Sequence, residues 1–333
     1  MTFYIYTLVI FGCSVGIAAL GLNLQYGFTG TLNFAYVLFY SIGAYIGGIT
    51  ALDSQDSPIA QSLGEKFAFG AHVGLPYPLG VLAAALAGAV LAAVVGLVLK
   101  RTMRDDFGAL ATVAIFLVAY TLAGNFTPLF NGYNGIAGIP SPFGDENTLT
   151  YVFVSVGWLL LSWLLVALLT NSPYGRRLRA IRERPEAAEA LGKPIFRSRI
   201  TVFIISNALA ALGGAVLVAF ISAWSPLSWQ FPETLVFFSA VIVGGRGNNL
   251  GAVVGAILIG VGLQQAALFV PAIPDHPTLV PALQWVVTGV ITIMFLWWRP
   301  AGLLPERKTN WRSIEPWPVR IAALLPSRRG APR

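Results

Sequence analysis

Charged side chains are scarce: Asp, Glu, Lys and Arg make up 11% of the 333 residues, against about a quarter in an ordinary soluble domain. None precedes Asp53. An opening stretch of that length cannot keep a globular surface hydrated, so a soluble enzyme is excluded and lipid is the expected solvent. Cysteine occurs once, as Cys13, which rules out an intrachain disulfide and leaves the redox compartment unreadable from thiols. The two histidines, His72 and His276, stand near prolines and read as loop residues. A phosphate-binding G-x-x-x-x-G-K-[ST], an H-E-x-x-H, a Cys/His cluster and a G-x-S-x-G elbow are all missing, so neither catalytic residues nor metal ligands are expected, and no cofactor in this chain.

What fills the chain instead is apolar. Hydrophobic residues reach 56% and the mean hydropathy is +0.73. Apolar runs lie at 3–22, 34–52, 79–99, 107–125, 151–170, 201–221, 234–245, 249–270 and 282–298. At about 20 residues per crossing, the sequence predicts an all-α, polytopic membrane bundle of about 8–10 segments, one or two of them broken or half-helices. The run at 234–245 gives roughly 18 Å of helix, too short to cross alone. It is either a half-helix or the end of a longer span that begins near Trp229. A basic region ahead of the first run is missing, so that run reads as a retained helix rather than a cleaved signal.

The formal charge of +7 falls in blocks. Lys100, Arg101 and Arg104 form one; Arg176 to Arg199 a second; Arg299 to Arg333 a third, and together they hold 19 of the 21 basic residues. Basic residues in short loops stay on the cytoplasmic side. That places residues 171–199 and the C-terminus inside, and the loops carrying Asp53, Asp56, Glu65, Asp145, Glu146, Glu233 and Asp275 outside, with Lys66 a basic exception there. The alternation closes if the run at 234–245 returns the chain inward to Arg246. The charge then reports topology, and no nucleic-acid partner is expected, since no aromatic-interleaved basic groove accompanies it.

Small residues recur every four positions at Gly80, Ala84, Gly88, Ala92 and Gly96, again at Gly247, Gly251 and Gly255, and at Gly12 and Gly16. These ladders let helix backbones approach closely and predict tight packing. The stretch from Gly21 to Ala44 differs, because Asn23, Gln25, Thr29 and Asn33 sit among Gly21, Gly27 and Gly30 in a charge-free region. Amides in lipid are costly unless paired or wetted, and clustered glycine weakens a helix. Two readings stand: a helix broken near mid-membrane to expose polar backbone to a solute, or a short connection whose amides satisfy one another. Asn131-Gly-Tyr-Asn-Gly reads as turn chemistry. No acidic residue lies inside an apolar run away from its ends, which disfavours a self-powered, proton-coupled carrier and points to a neutral, zwitterionic or apolar cargo.

Residues 171–199 form the longest inside loop. Glu186 to Leu191 is a strong helix former, closed by Gly192 in the C-cap position and by Pro194 beyond; the alternative is a solvated loop held near anionic lipid. The pattern E-A-A-x-x-x-G, here Glu186-Ala187-Ala188 with Gly192, resembles the coupling loop of bacterial ABC importer permeases. Further stretches are similar to the branched-chain amino acid permeases of the LivM/LivH type. They are Gly21-Leu22-Asn23-Leu24 through Gly43-Ala44-Tyr45, Asn134 to Pro140, Arg179 to Glu183, Val243-Gly244-Gly245 with Gly251 and Gly255, and Arg299-Pro300-Ala301-Gly302-Leu303-Leu304. Around Ala111 to Leu122 the acidic residue expected in that family's helix is missing, and residues 53–73 look like an enlarged outside loop.

The resemblance implies a multi-pass subunit of the bacterial cytoplasmic (inner) membrane. A transmembrane domain would span 1–304, with coupling loop 171–199, followed by a basic cytoplasmic tail, 305–333, that is either interfacial or disordered. Its implied partners are two ATP-binding subunits that hold ATP and Mg, a second homologous permease subunit, a soluble substrate-binding protein and membrane lipid. Glu186, Ala187, Ala188 and Gly192 would couple to the ATPase. Asn23, Gln25, Gly27, Thr29, Gly30 and Asn33 would line the translocation path. Branched-chain or related hydrophobic amino acids are the implied cargo. A urea or short-amide permease, a carrier or channel that works without ATPases, and a purely structural subunit are the alternatives.

Overall fold

The computed structural model describes residues 2–51, 74–99, 107–127, 131–144, 147–266 and 279–306. The loop acids Asp53, Asp56, Glu65, Asp145, Glu146 and Asp275, Lys66, both histidines, the basic block at 100–104 and the tail from 307 onward lie outside the described residues.

Among the described residues, eleven α-helices of six residues or more make up the bundle. They are α1 (Thr2–Leu22), α2 (Tyr36–Ala51), α3 (Tyr77–Val98), α4 (Phe107–Asn125), α5 (Thr148–Asn171), α6 (Pro173–Glu183), α7 (Pro185–Ala190), α8 (Ile195–Ile221), α9 (Phe231–Gly244), α10 (Asn249–Gly255) and α11 (Leu279–Trp298). α1 continues as a π-helix over Asn23–Gly27, and α10 as another over Ala256–Leu263. Among the described residues, seven helical stretches are long and apolar enough to cross a membrane and two shorter apolar helices accompany them. This is the polytopic bundle that the apolar runs predict. The run at 234–245 belongs to a longer stretch, Pro226–Gly244, because a 3₁₀ turn at Pro226–Trp229 leads into α9.

Helix α8 is the axis of the fold. Its buried face carries Ala210, Ala211, Gly213, Gly214 and Ala215, and α1, α2 and α3 pack along it. The seam with α2 is made by backbone: a Cβ on Gly43 would run into the Ala211 carbonyl, and one on Gly214 into that of Tyr40. The Gly80 to Gly96 ladder of α3 is buried, and a Cβ on Gly88 would collide with Ala211. Close approach of small residues is how membrane helices gain dispersion contact without a hydrophobic drive. The second ladder is only partly helical. Gly251 and Gly255 pack against α9 at Gly244 and Ala240, whereas Gly247 lies in the α9–α10 turn at φ +80°. The outer faces of α3, α5 and α11 present Leu86, Val94, Phe153, Leu168, Val290 and Trp297 exposed, as a lipid-facing surface requires.

At the end where α8 finishes, Ile136 and Ala137 (β1) pair antiparallel with Trp224 and Ala223 (β2). The Asn131 to Gly135 turn predicted from sequence is present, with Asn131 at φ +58° donating from Nδ2 to the Gly135 carbonyl at 2.8 Å. At the other end the second basic block, the start of α8, the α9–α10 turn and the exit of α11 all meet, because Thr170 Oγ1 accepts from Asn249 Nδ2 (3.1 Å) and Asn248 Nδ2 donates to the Pro305 carbonyl (3.2 Å). Arg246 lies in that turn, so the chain does return to the end that carries the basic loop.

Candidate functional site

The predicted coupling helix forms as α7. Pro185 opens it and Gly192 closes it. The Gly192 N–H bonds the Glu189 carbonyl at 2.8 Å and the Lys193 N–H the Ala188 carbonyl at 3.0 Å, the paired pattern of a Schellman cap, with Gly192 at φ +71°. Ala188 packs inward on Ile181 and Ile195. Glu186, Ala187 and Gly192 are exposed, and so is Leu191, at 78%. An isolated six-residue helix has no stability of its own, so the Ala188 anchor and the cap hold it. One small side chain inward and a leucine outward leave a face presented to solvent.

Beside it, α6 is amphipathic, burying Gly175, Leu178 and Ile181 and turning its arginines to the rim. Ser172 caps it, accepting from the Tyr174 N–H at 3.1 Å. Burial pushes the Tyr174 phenol up from its ordinary range, against the opposing effect of the Arg177 guanidinium that lies 4.7 Å over its ring. Arg179 Nε is 2.7 Å from Glu306 Oε1, and Arg182 Nη2 is 2.8 Å from Glu306 Oε2. Arg182 Nη1 also donates to the Gly27 carbonyl. Glu306 reaches this point because the stretch after α11 docks on the end of α9, where the Leu303 N–H bonds Val243 (2.8 Å) and the Leu304 N–H bonds Gly244 (3.0 Å). A single guanidinium therefore joins α6, the C-terminal exit and the π-helical end of α1.

The stretch after α1 is both distorted and largely self-satisfied. Asn23 Oδ1 accepts from the Gly247 N–H (2.8 Å) and Asn23 Nδ2 donates to Asn249 Oδ1 (3.1 Å). Asn33 Nδ2 donates to Asn207 Oδ1 (3.0 Å), while Asn33 Oδ1 accepts from the Ala35 N–H (3.1 Å). Thr29 Oγ1 bonds the Gln25 carbonyl and Thr31. The helix ends at Gly30, with φ +71°, beside Arg182. Asn23, Gln25, Thr29 and Asn33 are buried within the chain, and Gly30 is exposed. Gln25 differs from the other amides in that neither its Nε2 nor its Oε1 has a partner. The break lies toward the α6–α7 end of the bundle rather than at its middle. Both sequence readings hold in part: the helix is distorted and ends, and most of its amides pair inside the chain.

Sequence reasoning left three contributors without the role the structure gives them. Arg182 and Glu306 are 124 positions apart, and nothing in either neighbourhood announces the pair. Glu233, expected in an outside loop, stands in the first turn of α9. Phe231 and Pro232 start that helix ahead of the apolar run, since proline at N1 or N2 is preorganised for a helix start. The run's boundary was the wrong marker.

The family model described as the branched-chain amino acid transport system / permease component matches residues 4–296. The chain belongs to that family. Among relatives of this permease, a protein of Methanocaldococcus jannaschii described as a probable branched-chain amino acid transport permease protein LivM is 25% identical, over 87% of this chain and 90% of its own. The high-affinity branched-chain amino acid transport system permease protein LivM of Escherichia coli is 29% identical, over 87% of this chain and 67% of its own. A fructose import permease protein, FrcC of Rhizobium meliloti, is 26% identical over 71% of this chain. No solved structure matches. The permease is thus a multi-pass membrane transport subunit.

Proposed function

We propose that this chain is the permease subunit of an ATP-driven importer of the cytoplasmic membrane, carrying branched-chain or related hydrophobic amino acids delivered by a soluble binding protein outside. A second homologous permease completes the pore, and two ATP-binding subunits, which hold ATP and Mg, dock on the cytoplasmic face formed by α6 and α7. Pro305 and Glu306 lie on that same face. One observation carries this reading: Arg182, near the end of α6, donates to the carbonyl of Gly27, the last residue of the π-helical stretch of α1, while its neighbour Ile181 packs on Ala188 of α7. A push on Glu186, Ala187 and the Gly192 cap then reaches the membrane helices through a charged hydrogen bond, which is short, directional and about twice as strong as a neutral one.

In this reading the stretch from Asn23 to Asn33 forms the inner end of the path. Its support is the π-helical winding, common where helices do functional work, and the free amide of Gln25. Gly27, Thr29 and Gly30 let the stretch rearrange while the Asn23 and Asn33 bonds reset it. The test is ATP-dependent uptake of radiolabelled L-leucine into vesicles that hold the whole complex. Glu186→Lys and Ala187→Arg, both at exposed positions, are expected to insert normally and to abolish uptake. Normal uptake in both removes the coupling assignment, and leucine flux through the chain alone, with neither ATP nor partners, removes the importer reading.

A further inference from the structure

At the end of the bundle opposite α7, helices α1, α2, α8, α9 and the π-helical stretch of α10 line a half-open cavity of about 220 Å³. That is smaller than the roughly 300–1,000 Å³ of pockets for drug-sized ligands and fits a small solute. Its walls are apolar, with Val15, Val37, Leu217, Val236 and Phe237 among them, and its polar groups include Glu233, Gln264 and Ser228. Glu233 is the one carboxylate lining it. Among the described residues, the side-chain partner of Glu233 is the Gln264 amide, Nε2 to Oε2 at 3.3 Å, and no cation is paired with it. A carboxylate accepts up to about four hydrogen bonds. This one has capacity to spare, in a wall that offers it little else.

An ionisable group inside a membrane bundle is expensive and by default functional. The chain also maintains this arrangement at some local expense. The α10 backbone is π-wound from Ala256 to Leu263, and this winding delivers Gln264 to the cavity, while a Cβ on Gly260 would meet Val15 at 2.6 Å. Regular α-winding would rotate the residues after 256 away from the face they now present.

We propose that this cavity is a way-station for the transported amino acid: Glu233 receives its ammonium group, Gln264 and Ser228 face its carboxylate, and the valine, leucine and phenylalanine walls take an aliphatic side chain. This rests on the importer reading above and adds a substrate site within the chain. The site prefers small α-amino acids with branched apolar side chains, and the ammonium, rather than the carboxylate, is the indispensable group.

The test uses the purified full complex in detergent, without binding protein or ATP, and radiolabelled L-leucine as probe. Leucine is expected to bind; isoamylamine, which keeps the ammonium and the branched tail, competes, whereas 4-methylpentanoate, which keeps the carboxylate, does not. Glu233→Gln weakens leucine binding by at least about tenfold, the scale of one charged hydrogen bond, and lowers ATP-driven uptake in vesicles to match. If that variant does not insert, Ser228→Cys in an otherwise native chain replaces it. Its modification by a methanethiosulfonate ammonium reagent is slowed by leucine and isoamylamine and unaffected by 4-methylpentanoate. Absence of leucine binding, equal competition by the two analogues, or unchanged binding in Glu233→Gln overturns the site. A wild-type complex that takes up leucine with ATP while these assays fail leaves the importer reading standing; a complex that takes up no amino acid at all fails that reading instead.

Discussion

At the α6–α7 end, two arginines, a glutamate and the amides of Asn23, Asn248 and Asn249 bond to one another and to backbone carbonyls. At the far end, one carboxylate meets one amide across a cavity with apolar walls. Both ends contain a π-helical stretch, but the two are put to different use. Asn23–Gly27 is polar and delivers a carbonyl to Arg182, whereas Ala256–Leu263 is wholly apolar and delivers the following glutamine to Glu233. Polar groups in a bundle that meets lipid are stable when every member is satisfied, and become available for a ligand when one is not. Apart from the unpartnered Gln25 amide, the first end has the bonding of a fastening; the second has that of a receptacle.

Several substitutions would break or sharpen that contrast. The largest effect belongs to the seam that joins the ends. Gly43→Val puts a branched side chain into the Ala211 carbonyl, overpacking that costs about 1–3 kcal/mol or more where neither backbone can yield. Little folded permease is expected by size-exclusion chromatography. Next, Arg182→Ala removes two charged hydrogen bonds, each worth about 1.5–3 kcal/mol. Leucine uptake should fall about a hundredfold while leucine binding at the far end persists; loss of both together would show that the ends are not separable. Gly192→Val strains a residue at φ +71° by about 1–2 kcal/mol and loosens the α7 cap, so uptake drops about tenfold while the melting temperature falls by only a few degrees. The smallest functional effect is expected of Asn33→Ala. It orphans the Ala35 N–H and one side of Asn207 at about 1–3 kcal/mol, lowers the melting temperature in detergent by several degrees, and leaves the leucine Kd unmoved.

Much of the fold could be read ahead of the structure because lipid imposes a length rule and close packing a size rule. The apolar runs at 107–125 and 201–221 fall within or on α4 and α8, and the ladder from Gly80 to Gly96 is the buried face of α3. The cap at Gly192 was legible from glycine followed by proline. Pairings across the chain were not: hydrophobicity is blind to which arginine meets Glu306. The distortion at Asn23–Gly27 was announced by its amides and glycines, but the π-helical stretch Ala256–Leu263 was hidden for another reason. A wider turn leaves composition unaltered and shifts only which side chains share a face, and in a nearly uniform apolar run that shift has no signature. Glu233 was misplaced because Pro232, a breaker within a helix, is a starter in its first turn.

Helix α8 runs 27 residues, about 40 Å at 1.5 Å per residue, from the coupling region to the rim of the cavity. Along its middle it is keyed to α2 by main chain against main chain at Gly43 and Gly214, flanked by the Phe39–Phe203 ring pair. Such a joint behaves as a stiff beam. Displacement imposed at its foot would be handed on as movement of Leu217 and the neighbouring Trp224 at its head, two of the residues that line the far cavity.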